Sequence, residues 1–250
     1  MTPSLAAVRD ALPYLLGGAL NTGLIVLGAM TLGLALGVPA AVGLVYGPRW
    51  LRRLLGVYLW FFRGVPVLTL LFLFHFGLLP FLGEHLPLAD AFSGLFERLD
   101  PALVLKSQAL LTAALVLGLT TGAYQANIFK GAILALPKGQ FRAACALGMG
   151  EADAIRTVIL PQALRLALPA WSNEYSIVLK DSALAFVIGA PEIMARAQFV
   201  ASRTYQHLPL FLAAGLLYFL LTWAGTALLR ALERRVRIPG YAGETGANLS

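Results

Sequence analysis

Long apolar runs separated by short polar stretches fill the chain from about residue 14 to residue 238, and they set its architecture before any single residue does. A hydrocarbon core about 30 Å thick needs roughly 20 apolar residues in a helix rising 1.5 Å per residue. Five stretches meet that length: about 15–46, 58–80, 106–130, 164–189 and 208–229. The first and third are long enough to tilt or protrude, and the first far exceeds the apolar segment of a signal peptide. Gly and Pro interrupt several runs, which membrane helices tolerate where neighbours re-satisfy the freed backbone groups. Gly33 with Gly37, and Gly118 with Gly122, repeat at a four-residue spacing that lets two helix backbones approach closely. The pattern predicts an all-α integral membrane protein: one transmembrane domain over residues 1–250, with five transmembrane helices.

Composition removes the soluble alternatives. Apolar residues make up 59% of the chain and charged residues 12%, with a mean hydropathy of +0.77. Soluble domains average roughly 45–50% apolar and about 25% charged. A net charge of +7 would fit nucleic acid, but the basic residues sit beside the apolar runs rather than on one polar face. Their distribution orients the spans. Twelve Lys and Arg follow spans one, three and five: Arg49, Arg52 and Arg53; Lys130, Lys138, Arg142, Arg156 and Arg165; Arg230, Arg234, Arg235 and Arg237. Five lie on the other side: Arg9, Arg98, Lys106, Arg196 and Arg203. The richer side is expected to be cytoplasmic, with the N-terminus outside, the C-terminus inside, and Glu84, Asp90, Glu97 and Asp100 in a long external loop.

Two segments outside the spans have patterns of their own. Residues 49–63 mix Arg49, Arg52, Arg53 and Arg63 with Trp50, Tyr58, Trp60, Phe61 and Phe62, as an interfacial aromatic-and-basic belt does. Residues 137–163 form a cytoplasmic loop in which Ala143, Leu147, Ala154 and Ile155 suit the apolar side of short helices, bent at Gly148 and Gly150. An exposed apolar helix there needs a cover, either a docked partner or the bundle itself. His75, His85 and His207 are isolated, and Cys145 is the sole cysteine, so no metal-ligand spacing or disulfide framework arises.

The loop and its flanks carry a resemblance. "AACALG" and "VILPQALRLALP" resemble the EAA loop of bacterial ATP-binding-cassette import permeases. "GALNTGLIVLGAMTLGLALGVPAAV", "FFRGVPVL", "TTGAYQANIFKGAILALPKGQ", "LPAWSNEYSIVLKDSALAFVIGAPE" and "TYQ" are similar to the polar amino-acid branch of that family. The match runs over about residues 14–238. It implies a type I importer permease in the bacterial inner membrane, paired with a second permease subunit as a homo- or heterodimer. It also implies a cytoplasmic ATPase dimer and an extracytoplasmic amino-acid-binding protein. The expected ATPase-coupling residues are Arg142, Ala143, Ala144, Leu147, Gly148 and Glu151. Arg142 stands where the family has glutamate, reversing a charge at the docking surface. No GxxxxGK[ST] phosphate loop occurs, so ATP and Mg are expected on the ATPase, with no cofactor and no catalytic role in this chain.

The fourth span carries Asn173, Glu174, Lys180 and Asp181, and an ionised group at the centre of a membrane helix costs about 2.5–3.5 kcal/mol. One reading pairs Lys180 with Glu174 or Asp181 inside the bundle. The other turns Asn173 and Glu174 toward a substrate path for polar, and by charge basic, amino acids, with Lys180 and Asp181 fixing its wall and Gln125 as a further path residue. Asn127 is a weaker candidate, and Asn21 and Thr22 suit helix-packing hydrogen bonds better. An ion-coupled secondary transporter is the rival class; it predicts a repeat between halves, which the sequence lacks.

Overall fold

The computed structural model describes residues 3–85 and 101–236, with side chains described for 6–82 and 108–236. Asp90, Glu97, Arg98, Asp100 and Arg237, and the side chains of Glu84, His85 and Lys106, lie outside the described residues. Among the described residues all regular structure is helical. α1 (Pro3–Tyr46) leads to α2 (Arg49–Gly64). α3 runs from Val67–Phe72 through a π turn, Leu73–Leu78, into Leu79–His85. α4 (Pro101–Ala135) is followed by α5 (Lys138–Ala146). A short turn (Glu151–Asp153) and a second π turn (Ala154–Ile159) lead into α6 (Leu160–Asp181), which tightens to a 3-10 segment, Ser182–Ile188. α7 (Ile193–Thr204) and α8 (His207–Val236) complete the fold.

Two expectations need correction. The stretch expected as one continuous span over 58–80 is broken: α2 and α3 meet at 104°, and the helix resumes at Val67. Pro66 is the cause, because its ring forces the preceding Val65 out of helical backbone, to φ −91° and ψ 131°. The stretch expected as an external loop after residue 189 contains α7. Gly189, with φ +85°, ends the 3-10 segment, and the Glu192 carboxylate then accepts the N–H groups of Met194 (2.8 Å) and Ala195 (2.6 Å) as an N-cap. Ile193, Ala197 and Ala201 recur on one face and pack on Ala11 and Leu15 of α1 and on Leu210 and Ala214 of α8.

Helix directions follow from which residues meet. Gly28 faces Ala114, Gly33 faces Thr121 and Gly37 faces Ala126, so α1 and α4 run parallel. Trp171 meets Gln125 and Glu174 meets Thr121, so α6 runs against α4. Tyr58 of α2 reaches the Leu119 carbonyl, and further along the chain His75 of α3 lies 3.3 Å from Thr112, nearer the start of α4. The start of α8 packs beside the start of α1. By length and composition, three helices among the described residues (Ala6–Tyr46, Gln108–Ala135 and His207–Val236) can cross a membrane alone, and the bent pair counts as a fourth if it is one broken span. α6, with Gln162, Arg165, Asn173 and Glu174 among its apolar residues, is too polar on average to join them.

The α1–α4 seam lies at the centre of the bundle. A Cβ on Gly33 would come within 2.5 Å of Gln125 Nε2, one on Gly37 within 2.8 Å of Gln125 Cβ and 3.1 Å of the Ala126 backbone nitrogen, and one on Gly118 within 3.0 Å of Leu32 Cβ. The four-residue glycine spacing therefore brings backbone against backbone. Gly23, on the same helix, faces open space. Gly37→Ala is expected to cost about 1–3 kcal/mol through overpacking against backbone that has no room to move. Gly23→Ala should be neutral or stabilise by roughly 0.5–1 kcal/mol, since alanine suits a helix interior better. Thermal unfolding of the two variants in one detergent checks the opposite signs.

Candidate functional site

The α1–α4–α6 junction holds a chain of hydrogen-bonded polar groups inside the bundle. Trp171 Nε1 donates to Gln125 Oε1 (2.9 Å), Gln125 Nε2 donates to Thr121 Oγ1 (3.3 Å), and Thr121 Oγ1 donates to Glu174 Oε1 (2.7 Å). Gln125 also points Nε2 at Met30 Sδ, 3.8 Å away. Gln125 and Thr121 lie one turn apart on α4, Trp171 and Glu174 three residues apart on α6, so two antiparallel helices present matched pairs. Gln125 and Glu174 are buried, and Thr121 is the one donor to Glu174 among the described residues. A carboxylate oxygen accepts more than one bond, so Glu174 retains acceptor capacity.

Beside this buried chain, α6 exposes a polar stripe. Arg165, Pro169, Asn173 and Ile177 recur every four residues, with Lys180 three further on, and all five are exposed. Asp181 is half-buried. The structure thus joins Gln125 with Glu174 and leaves Asn173 and Lys180 on the outer face. Neither acid pairs with Lys180: the one ion pair among the described residues is Arg9 with Asp10. Asn127 is half-buried, and Arg63 sits over the exposed Tyr124 ring at 5.1 Å. Asn21 and Thr22 serve packing, since Asn21 Nδ2 donates to the Pro191 carbonyl (2.8 Å) and Thr22 Oγ1 accepts from Ile193 N (3.4 Å).

The 137–163 segment is a compact projection. Phe141 packs on Tyr46 of α1 with ring centroids 5.2 Å apart, and Gln162 Nε2 donates to Gln140 Oε1 (2.9 Å). Ala144 and Ala154 are buried at its base, while Arg142, Ala143, Leu147, Gly148 and Glu151 are exposed. Leu147, 86% exposed, is the most prominent apolar side chain of the tip. The expected apolar side thus splits, with Ala154 turned in and Ala143 and Leu147 turned out. The tip is shaped by a Schellman motif: Met149 N donates to Ala144 O (3.2 Å), Gly148 N donates to Cys145 O (3.0 Å), and Gly148 has φ +89°.

Sequence reasoning missed Glu192. Fully buried, it caps α7 and also accepts a hydrogen bond from the Tyr218 hydroxyl of α8. The available signal was an acid placed directly before Ile193, Ala197 and Ala201.

The family described as "Binding-protein-dependent transport system inner membrane component" matches residues 29–238. The octopine transport system permease protein OccQ of Rhizobium meliloti is 36% identical over 207 residues, spanning 83% of each chain. The histidine/lysine/arginine/ornithine transport system permease protein HisM of Salmonella typhimurium is 33% identical over 222 residues, 89% of each chain. The crystal structure of an amino acid ABC transporter with histidines superposes with a TM-score of 0.74 at 29% identity, over 94% of this chain and 99% of that one.

Gly148 has open space around its Cβ position, so substitution there strains the backbone and nothing else. Gly148→Val places a β-branched residue in left-handed backbone and is expected to open the turn, at a local cost of roughly 1–3 kcal/mol. Gly148→Asn, which tolerates that conformation, should retain it. Limited proteolysis at residues 146–150 should be faster for the valine variant alone.

Proposed function

From the premise that the chain belongs to the family of inner membrane components of binding-protein-dependent transport systems, we propose that it is the permease subunit of an ATP-driven importer of polar amino acids, basic ones above all. The relatives that transport octopine and the histidine, lysine, arginine and ornithine group support the substrate class. The observation that carries it is the Glu174 carboxylate, buried in a membrane-depth helix and held by one hydroxyl. Such a group is costly in lipid and is stabilised by a cation brought to it. On the same helix, Asn173 and Lys180 face outward and supply donors for a carboxylate. The exposed stripe of α6 faces a second permease subunit, a copy or a paralogue, across the substrate path, because Lys180 and Asn173 would be poorly solvated by acyl chains.

Five crossings fit the alternating helix directions, with α6 tolerated as a span because its polar stripe meets protein and water rather than lipid. The basic ends of α1, α4 and α8 then lie in the cytoplasm, and the N-terminus lies outside. There the tip around Leu147 docks on a separate ATPase subunit, which binds ATP and Mg. Arg142 and Glu151 flank Leu147 as charged contacts, while Ala143 gives close approach. A binding protein delivers substrate from the opposite side.

The Glu174→Gln variant keeps size and hydrogen bonding but removes the charge. In vesicles reconstituted with the matching ATPase and binding protein, arginine and lysine uptake should fall about tenfold or more, the scale of losing a charge-assisted contact worth roughly 1.5–3 kcal/mol. Assembly with the ATPase should be unchanged. Equal arginine uptake by both proteins overturns the substrate role. Topology has its own check, in a Cys145→Ser background. A cysteine at position 90 should label in intact cells with an impermeant thiol reagent, and one at position 151 only after permeabilisation. The reverse pattern overturns the orientation.

A further inference from the structure

α2 takes no part in the site described, and it has three distinct faces. Leu51 and Leu55 lie over Gly43 of α1, Tyr58 donates to the Leu119 carbonyl of α4 (2.7 Å), and Phe62 sits among Tyr58, Phe61 and Phe74, so one face is fixed to the bundle. Trp50, Leu54 and Val57 form a second, apolar face, at 66%, 61% and 62% exposure. Arg49, Arg52 and Arg53 make a third, all exposed, and Trp60 (75% exposed) lies among them. No acidic residue occurs between residues 49 and 64, and none of these three arginines has an ion-pair partner among the described residues.

The bend of 104° turns α2 across the direction of α3, at the end where α1 finishes. A helix lying along a membrane surface with apolar residues on one side and arginines on another is stabilised by lipid on both counts. We infer that α2 is an interfacial helix whose Trp50–Leu54–Val57 face enters the acyl region while Arg49, Arg52 and Arg53 bind the headgroups of anionic phospholipids. Charge complementarity selects this occupant: three unpaired guanidiniums in a row, with no acid to answer them, fit phosphate-bearing lipids of net negative charge. The geometry is continuous with the membrane spans on either side. The inference needs only the membrane location of the chain, so it stands or fails apart from the substrate reading.

The test uses the Trp side chains already in place. The full chain, carrying Trp223→Phe to remove the exposed indole of α8, is reconstituted in mixed phosphatidylcholine and phosphatidylglycerol vesicles, with one or the other lipid brominated as the quencher. Trp50 and Trp60 fluorescence should be quenched more by brominated phosphatidylglycerol than by the same fraction of brominated phosphatidylcholine, by about twofold or more. The preference should shrink with added salt as the arginines are screened. In the triple variant Arg49→Gln, Arg52→Gln, Arg53→Gln the two lipids should quench equally while overall quenching persists. Equal quenching in the parent overturns the headgroup site, as does a preference that survives the triple change. Weak quenching by both lipids means a protein covers this face and overturns the interfacial placement itself. Should the triple variant be poorly inserted, Arg→Lys at all three positions keeps the charge and must keep the preference.

Discussion

The glycine seam between α1 and α4 is the constraint from which the rest of the bundle takes its positions. Gly33 and Gly37 leave no volume between the two helices except what Gln125 and Thr121 fill. Gln125 is thereby pressed against α1, with its amide free to reach across to Trp171 and along to Thr121. Had either glycine carried a methyl group, α4 would move outward and the hydrogen-bond chain to Glu174 would lengthen. The dispersion gained from close backbone contact thus has a polar consequence: it fixes the donor that holds the buried Glu174 carboxyl group.

Two buried acids illustrate two ways of meeting the same cost. Glu192 is fully committed, to two backbone N–H groups and the Tyr218 hydroxyl, and it ties α7 to α8. Glu174 receives one hydroxyl. A carboxylate saturated by its own chain is a structural joint, and one left short of donors is suited to a ligand. That contrast, rather than burial alone, separates the acid proposed for substrate from the one that holds the fold.

The length of the apolar runs and the glycine spacing were legible because each is local and rests on a fixed helix rise. The α2–α3 corner was less so. Residues 49–63 read as interfacial and 58–80 as a span, and the two overlap. Pro66 and the extended Val65 resolve the overlap, but apolarity continues through them without a break. α7 escaped notice because it is short and rich in alanine, and Glu192 reads as a loop acid until its cap is seen. Gln125 was singled out as a polar group in an apolar run; its pairing with Trp171, 46 residues away, is a product of packing that no local pattern encodes.

The exposed tip and the buried acid belong to one mechanical element. From Glu151 to Asp181 the chain is helical without interruption, through the π turn and past Pro169. A π turn holds one wider loop of backbone within a helix and is a local site of altered winding. Here it sits at the base of the projection, where Ala154 and Ile159 are buried and the Gln140–Gln162 bond clamps α5 alongside. On the proposed docking role, force applied at Leu147 reaches α6 through that clamp rather than through a flexible loop. A rigid helix then carries it to Asn173 and Glu174. A small sliding of α6 against α4 changes the Trp171–Gln125 and Thr121–Glu174 hydrogen bonds together, and with them the exposure of one carboxylate. Coupling of this kind requires two packings of the α4–α6 interface, distinguished by the register of those two bonds.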